Sequence, residues 1–510
     1  MPYFPQGTDL YVHVLWPWQV MRCLSTGSLP VWLPDLNAEF GSPGIGMYSP
    51  LSPTVCGVLG LVLGTSGRGV RAALVLAALA VLAVAPGRNR RARIAVAGFV
   101  LLSPAVLAEF FGRFPVAQLL ALPLAWLVLE DAVERRWRWD RDGILLALLW
   151  LVHALTAMMV GIIGVLALIG GSRGRDDGAM EDRRSGGRFS PVVRFGLAGL
   201  VAAGLCGWHW WPLLAAAPDF ALKSALTDGL FHPLRNLIGV SGPHLPDINI
   251  AMGWAAIGLL VALLSSGGWK TRRGLLAIVT IVLATLPSAP LWRFLTPLAW
   301  LQFPWRWMFP ATLLATTAIL DEAPSRGRLR LTISLAAMVM PLVGLPPVQF
   351  VPDPSLTVST EPVVAGERVV ESFSGNPLLI DVVEHRPVWW EDLGPALVLL
   401  GPHRTVLLPE ASEARVINWR PLRRKVEVES QHPATLVFRL LADRHWIVLV
   451  NDQPVLPGRW AAALAVNIPP GKSEIEIEWR SDPRAIVGAI LAITLLAGIY
   501  LHRRRARSVA

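Results

Sequence analysis

Long apolar runs separated by short arginine clusters constrain this chain more than any other feature. Of its 510 residues, 53% are hydrophobic and 16% are charged, and the mean hydropathy is +0.50. A helix needs about 20 residues to cross the hydrocarbon core of a membrane, and arginine clusters mark cytoplasmic loops. These patterns predict a polytopic α-helical membrane protein. The net charge of +10 does not indicate a nucleic-acid partner, because the arginines lie in the loops between apolar runs.

The run from Gly143 to Gly170 is about 28 residues long, and arginine-rich segments flank both of its ends. It therefore has to cross twice, which predicts a tight helical hairpin with His153 near the outer turn. The stretch 51–64 is short and predicts a helix along the outer surface. We expect about eleven spans, with an outer N-terminal loop; the other spans are predicted at 70–86, 94–108, 115–130, 194–216, 251–266, 274–288, 305–320, 331–346 and 485–501.

The composition changes after residue 347 to alternating polar and β-branched residues. KVEVES, TLVFRL, WIVLVND and SEIEIEW have the period of two that is typical of strands, and NDQP predicts a turn. The sequence thus predicts four regions: an outer loop with a surface helix (1–69), a helical bundle (70–347), an extracytoplasmic β-sandwich-like domain (348–483), and a last span with a basic tail (484–510).

The segment from Thr8 to Pro53 is neither a span nor a charged loop. It is dense in Trp, Pro and Gly, which predicts an ordered aromatic loop rather than a continuous helix. Asp9 and His13 are spaced i, i+4, so on a short helix they project from one face as an acid/base pair. Asp9 also suits an N-cap of that helix, and the two roles are compatible.

The pattern D-x-x-x-H, followed by G-x-L-P-x-W-x-P-D, E-F-G-S-P and Y-S-P-L, resembles the first extracytoplasmic loop of GT-C glycosyltransferases. In particular it is similar to bacterial membrane proteins of the YfhO type and to those called 6-pyruvoyl-tetrahydropterin synthase-related. LQFPWRW and the C-terminal strand region extend the likeness. Members of this family usually carry a helix ahead of the loop, so we expect an upstream start that encodes one.

The resemblance implies a glycosyltransferase in the bacterial cytoplasmic (inner) membrane. Such an enzyme moves a sugar from a polyprenyl-phosphate donor to an outer acceptor: a glycan, a glycolipid or a protein. It needs a general base, a role we assign to Asp9 with His13 as its partner. Glu109, at the outer end of a span, is the second acidic candidate. Arg113 is a candidate phosphate contact, although at i, i+4 it could instead pair with Glu109 at the surface.

Arg306 lies in FPWRW between two indoles. Its planar fork of donors suits a lipid phosphate. The alternative is that Trp300, Trp305 and Trp307 form an interfacial aromatic belt and that Arg306 snorkels to the headgroups. His153 is a third candidate for phosphate binding, with a helix-to-helix contact as its alternative role.

No cofactor and no dedicated metal site is indicated. A divalent cation shared by Asp9 and Glu109 stays open, and a Cys23–Cys56 disulfide has no support beyond the presence of both residues. Besides the transferase, the sequence is compatible with a non-catalytic membrane scaffold or a lipid-handling envelope factor that keeps the fold. A transporter is disfavoured because the hydropathy pattern shows no internal repeat.

Overall fold

The protein was analysed as a computed structural model. It describes residues 3–5, 10–34, 41, 49–87, 90–169, 190–216, 232–239, 246–295, 298, 301, 303–322, 328–339, 342, 350–352, 399–400, 404–408 and 413–509. This part of the chain is mostly helical, with a C-terminal region of β-sheets. Its helices are α1 Leu10–Ser25, α2 Leu51–Leu63, α3 Ser66–Val84, α4 Arg90–Leu101, α5 Pro104–Gly112, α6 Val116–Val133, α7 Trp139–Ile169, α8 Pro191–Leu205, α9 Gly207–Ala216, α10 Pro246–Ser266, α11 Arg272–Ala284, α12 Ala289–Phe294, α13 Met308–Glu322, α14 Arg328–Val339 and α15 Pro483–Val509.

Within the described residues, five helices are long and apolar enough to cross a membrane, or up to seven if each of two bent pairs counts as one span. The five are α3, α6, α7, α10 and α15. The predicted span 94–108 is broken into α4 and α5, which are bent by 46°, and the span 194–216 is broken into α8 and α9, bent by 72°. Each of these two predicted spans is thus a bent pair of helices rather than one continuous helix. The first break follows from Ser103 and Pro104, which cap and start a new helix.

The count of eleven spans is not confirmed. Helices α11, α13 and α14 occupy three predicted spans but have 13, 15 and 12 residues, fewer than the roughly 20 that a full crossing needs. The helix predicted at 51–64 is present as α2.

Helix α7 reverses direction at His153, whose backbone is non-helical (φ −159°, ψ 95°). The Nη2 of Arg135, just before α7, donates to the carbonyl of Leu168 near its end, at 2.8 Å. Arg272 likewise bonds carbonyls at the ends of both α6 and α7, those of Val133 and Ala167. Both ends of α7 therefore meet, as the hairpin prediction requires. Its arms are about 21 and 24 Å long, short of the roughly 30 Å hydrocarbon core.

The C-terminal region forms two antiparallel sheets. Their orders are β3-β6-β10-β9 and β4-β5-β11-β7-β8, and residues of both sheets share one apolar core, as in a sandwich. The predicted NDQP turn joins β7 to β8, with Asn451 and Asp452 at φ 51° and 61°, as a two-residue hairpin turn requires. The strands are β1 Tyr3–Pro5, β2 Phe350–Pro352, β3 Thr405–Leu408, β4 Glu413–Arg420, β5 Arg423–Ser430, β6 Ala434–Leu441, β7 Trp446–Val450, β8 Gln453–Val455, β9 Gly458–Trp460, β10 Ala463–Ile468 and β11 Gly471–Trp479; β1 pairs with β2.

The β-sandwich lies at the same end of the bundle as the turn of α7. Helix α15 leaves the sandwich at Pro483, and near its other end Arg503 Nε lies 2.6 Å from Asp140 at the start of α7. Arg444 of the sandwich bonds the carbonyl of Ala215 in α9 at 3.3 Å. The hairpin turn and the sandwich thus face one side, and the ends of α7 face the other.

Candidate functional site

The turn of α7 is built around His153, which caps the second arm of the hairpin. Its Nδ1 accepts the backbone N–H of Thr156 at 3.2 Å, and the Thr156 hydroxyl lies 2.6 Å from the same nitrogen. The hydroxyl of Ser49 accepts the N–H of Ala154 at 2.9 Å. Since Nδ1 accepts a backbone proton, a neutral ring carries its hydrogen on Nε2. No motif or spacing in the sequence indicates that Ser49 takes part.

Glu109 and Arg113 lie on one face at the end of α5, as their spacing predicts. The Arg113 Nη1 is 3.5 Å from the Glu109 carboxylate. Glu109 is 2% and Arg113 is 5% exposed. The alternative of a surface pair is therefore wrong: the ion pair is inside the protein, where a charge requires nearby compensation.

Arg306 lies in a 3₁₀ turn, Pro304–Trp307, and is 3% exposed. Its Nη1 donates to the carbonyl of Leu301 at 3.1 Å. Its guanidinium carbon is 4.8 Å from the ring centre of Phe303, and that of Arg113 is 5.0 Å from the same ring. Trp305 and Trp307 are buried as well, so the alternative of an interfacial belt with a snorkelling arginine is wrong for these three residues; Trp300 lies outside the described residues.

The charges of Arg306, Arg113 and His13 act on His153 at the hairpin turn, and Arg113 is ion-paired with Glu109. We call His13, Glu109, Arg113, His153 and Arg306 the polar cluster. It joins α1, α5, α7 and the 3₁₀ turn, which are far apart in sequence. Asp9 lies outside the described residues, so its position relative to the cluster stays a prediction.

The polar cluster is suited to an anion. It contains two guanidinium groups, two imidazoles and one carboxylate, and the second arm of α7 begins at His153. The N–H groups of Ala154 and Thr156 in this first turn are bonded to Ser49 and His153, so the arm contributes the positive end of its helix dipole, which favours negative charge. The walls are apolar and aromatic, so charge interactions here are screened less than at a surface.

The described residues contain no group of three or more His, Cys, Asp or Glu placed to hold a metal ion. The cation proposed between Asp9 and Glu109 depends on Asp9 and is untested. Cys23 and Cys56 are both buried and are not joined by a disulfide.

Sequence reasoning missed how the N-terminal loop is anchored. Trp32 is fully buried in the core of the β-sandwich. Its ring centre lies 5.1 Å from that of Trp446 and 5.0 Å from that of Trp479. The indole density of the loop was the available signal, but nothing in the sequence pairs Trp32 with residues more than 400 positions away.

Comparison with known proteins gives no relative. No family model matches the chain, and neither a curated protein nor a solved structure is significantly similar to it. The resemblance to GT-C enzymes stays a prediction from the residues quoted above.

Proposed function

We propose that this chain is a GT-C-type glycosyltransferase or a close relative. It transfers a sugar from a polyprenyl-phosphate donor to an acceptor at the face of the membrane where the β-sandwich lies. That face is the outer one by the positive-inside rule, because arginine clusters occupy the opposite loops.

One observation carries the proposal: two buried arginines share the Phe303 ring beside the capped start of a helix. A buried cationic site within an apolar bundle matches a ligand that is both anionic and lipid-soluble. A lipid-linked phosphate has both properties. Arg306 and Arg113 supply planar donors for the phosphate, and the second arm of α7 adds its positive end.

The remaining groups are assigned by their chemistry. Asp9 takes the acceptor hydroxyl proton, and His13, on the next turn of the same segment, orients the acceptor or the phosphate. Glu109, held at 3.5 Å by Arg113, keeps that guanidinium in place and is the second candidate base. His153 caps the helix with Nδ1, and we assign its Nε2–H to the phosphate.

The test is Arg306→Lys, which keeps the charge but loses the bidentate fork. We expect binding of undecaprenyl phosphate to weaken about tenfold or more, with turnover of bound donor little changed. Arg420→Lys is the matched control, because Arg420 is an exposed arginine at the end of β4 in the sandwich. Equal affinity in wild-type protein and Arg306→Lys would remove the phosphate site from the proposal.

A further inference from the structure

The end of α15 meets the start of α7 through two side-chain contacts. The Nε of Arg503 lies 2.6 Å from the carboxylate of Asp140. The ring of His502 lies 5.4 Å from the ring of Trp139, centre to centre. The charges of Arg503 and Arg138 both act on the Asp140 carboxylate. We call Arg138, Trp139, Asp140, His502 and Arg503 the inner junction.

The inner junction lies at the end of the bundle opposite the β-sandwich. Helix α15 begins where it leaves the sandwich, at Pro483, and is 27 residues long. A straight helix of that length spans about 40 Å, more than the roughly 30 Å hydrocarbon core, so its last turns extend beyond the core. The arginine clusters predict that this side is cytoplasmic. We therefore expect the junction at the level of the phospholipid head groups of the inner leaflet.

Positive charge exceeds negative charge at the inner junction. Arg504 and Arg505 follow Arg503 on α15, and both are exposed, as is Arg138. The carboxylate of Asp140 is ion-paired with Arg503, so it does not compensate the exposed arginines. A cluster of arginines directly after a membrane span is typical of binding to anionic lipid head groups.

The other acidic groups at this end of α7 do not cancel the positive charge. Asp131 is ion-paired with Arg141 at 2.8 Å. Asp142 is fully buried, and its Oδ2 accepts the backbone N–H of Arg138 at 2.6 Å. Even with both counted, the five arginines named here outnumber the three aspartates.

The exposed face of α15 gives the site an apolar part. Only 11% of the spanning part of α15 is buried inside the protein. On the membrane side of the arginines, Leu496 is 47% and Tyr500 is 64% exposed. An anion bound at the inner junction thus has apolar helix surface beside it. The acyl chain of a phospholipid covers such a surface, whereas a free phosphate or a nucleic acid does not.

We propose that the inner junction binds the head group of an anionic phospholipid of the inner leaflet, with an acyl chain along the exposed face of α15. Arg138 and Arg504 bind the phosphate from the two helices, while the ion pair of Arg503 keeps the helices together. The bound lipid then holds α15, and through it the sandwich, against the rest of the bundle. This inference goes beyond the proposed function and does not depend on the transfer reaction.

The experiment titrates full-length protein in mild detergent with phosphatidylglycerol or with phosphatidylcholine, and measures bound lipid by native mass spectrometry. The test variant is Arg138→Gln with Arg504→Gln, which removes two exposed charges and leaves the ion pair of the inner junction in place. Its matched control is Arg91→Gln with Arg93→Gln at the start of α4. These arginines are also exposed, their cluster is predicted on the same side of the membrane, and both variants have the same net charge.

We expect wild-type protein and the α4 variant to bind phosphatidylglycerol more tightly than phosphatidylcholine. In the test variant the affinity for phosphatidylglycerol should fall about tenfold or more, since each arginine at an anionic lipid surface contributes about fivefold. An unchanged affinity in the test variant, an equal loss in both variants, or equal affinity of the wild type for the two lipids would each overturn the inference.

Two further measurements separate a lipid site from a site for free phosphate. Glycerol phosphate has the phosphate group but no acyl chain, so at equal concentration it should not displace phosphatidylglycerol; displacement would overturn the lipid assignment. A ligand that binds only the folded state raises the Tm, so phosphatidylglycerol should raise the Tm of the wild type and the α4 variant more than that of the test variant. The same rise in all three proteins would show that the lipid does not act through the inner junction.

Discussion

At the scale of single residues, the polar cluster places charge where an apolar bundle disfavours it. A charged side chain deep in a membrane helix costs about 2.5–3.5 kcal/mol on insertion scales. Glu109 and Arg113 offset part of that cost for each other at 3.5 Å, and Arg306 and Arg113 gain further from the face of Phe303. Apolar side chains at these positions would pack as well and would avoid the cost of burying a charge. The retained charges therefore favour a ligand-binding role.

The first residue-scale prediction concerns Asp9. Asp9→Asn keeps the size and any N-cap hydrogen bond but removes the base, so transfer activity should fall by about 10² or more at normal protein level. Complementation of an envelope-glycan defect measures it. Asp247→Asn is the control, because Asp247 is an exposed carboxylate in the first turn of α10. Full complementation by Asp9→Asn would contradict a catalytic role of Asp9 and would favour the alternative, a scaffold or a lipid-handling factor.

A second residue-scale prediction concerns His445, which lies between the sandwich and the start of α15. Its Nδ1 lies 2.7 Å from Asp443, and its Nε2 lies 3.8 Å from Asp482, which accepts the N–H of Arg484 at the start of α15. Burial of the ring and the charge of Arg444 both lower the pKa of His445. The hydrogen bond to Asp443 and the negative charges of Asp443 and Asp482 raise it and outweigh them, so the pKa of His445 lies above 6.5.

The raised pKa belongs to the folded state, so protonated His445 stabilises the folded protein. This stabilisation is complete below pH 6.5 and is lost as the pH rises through the raised pKa. We expect the Tm of the wild type to fall by about 2–4 °C more than that of His445→Gln between pH 6 and pH 9. Parallel Tm curves for the two proteins would show that this contact does not depend on charge.

At the scale of elements, breaks in helices position the site more than the helices themselves do. Ser103 accepts the N–H of Val106 at 3.3 Å and starts α5, which aims Glu109 and Arg113. His153 does the same for the second arm of α7. The bend at Cys206 turns α9 across the start of α15. The breaks at Ser103 and His153 each have a capping side chain, so both are defined features of the fold.

The crossing of α9 and α15 gives an element-scale prediction. A Cβ on Gly488 would overlap the backbone nitrogen of Trp208, so Gly488→Ala should separate the two helices and destabilise the protein by about 1–3 kcal/mol. Gly498→Ala on the same helix meets no atom within 4 Å and should be neutral or slightly stabilising. Thermal unfolding in detergent measures both. Equal Tm values would show that α9 and α15 do not pack this closely.

At the scale of the whole molecule, the N-terminal loop and the C-terminal sandwich form one unit. Trp32 lies in the sandwich core, β1 pairs with β2, and Arg444 bonds α9. The sandwich is thus fixed above the hairpin turn and the polar cluster, where it can restrict access from that side.

The same arrangement predicts the topology. A reporter fused after Gly171 should be cytoplasmic and one fused after Pro402 extracytoplasmic, because both ends of α7 lie opposite the sandwich. Paired alkaline phosphatase and fluorescent-protein fusions measure this. Both reporters on one side of the membrane would contradict the sidedness described here.

The sequence by itself determined those features that depend on neighbours along the chain. Hydropathy located the helices, the flanking arginines required the reversal near His153, and the period of two located the strands. The spacing of Glu109 and Arg113 paired them on one face. These are local properties, since a helix or strand satisfies its own backbone and the pattern of its side chains shows which face is buried.

Only the tertiary structure decided which of these elements meet. Whether an apolar run is one straight span depends on what packs against it, so the breaks at Ser103 and Cys206, and with them the number of spans, did not follow from run length. The burial of Arg306 and the seating of Trp32 in the sandwich each join segments distant in sequence. Such contacts depend on how whole elements pack, and no local period or spacing encodes them.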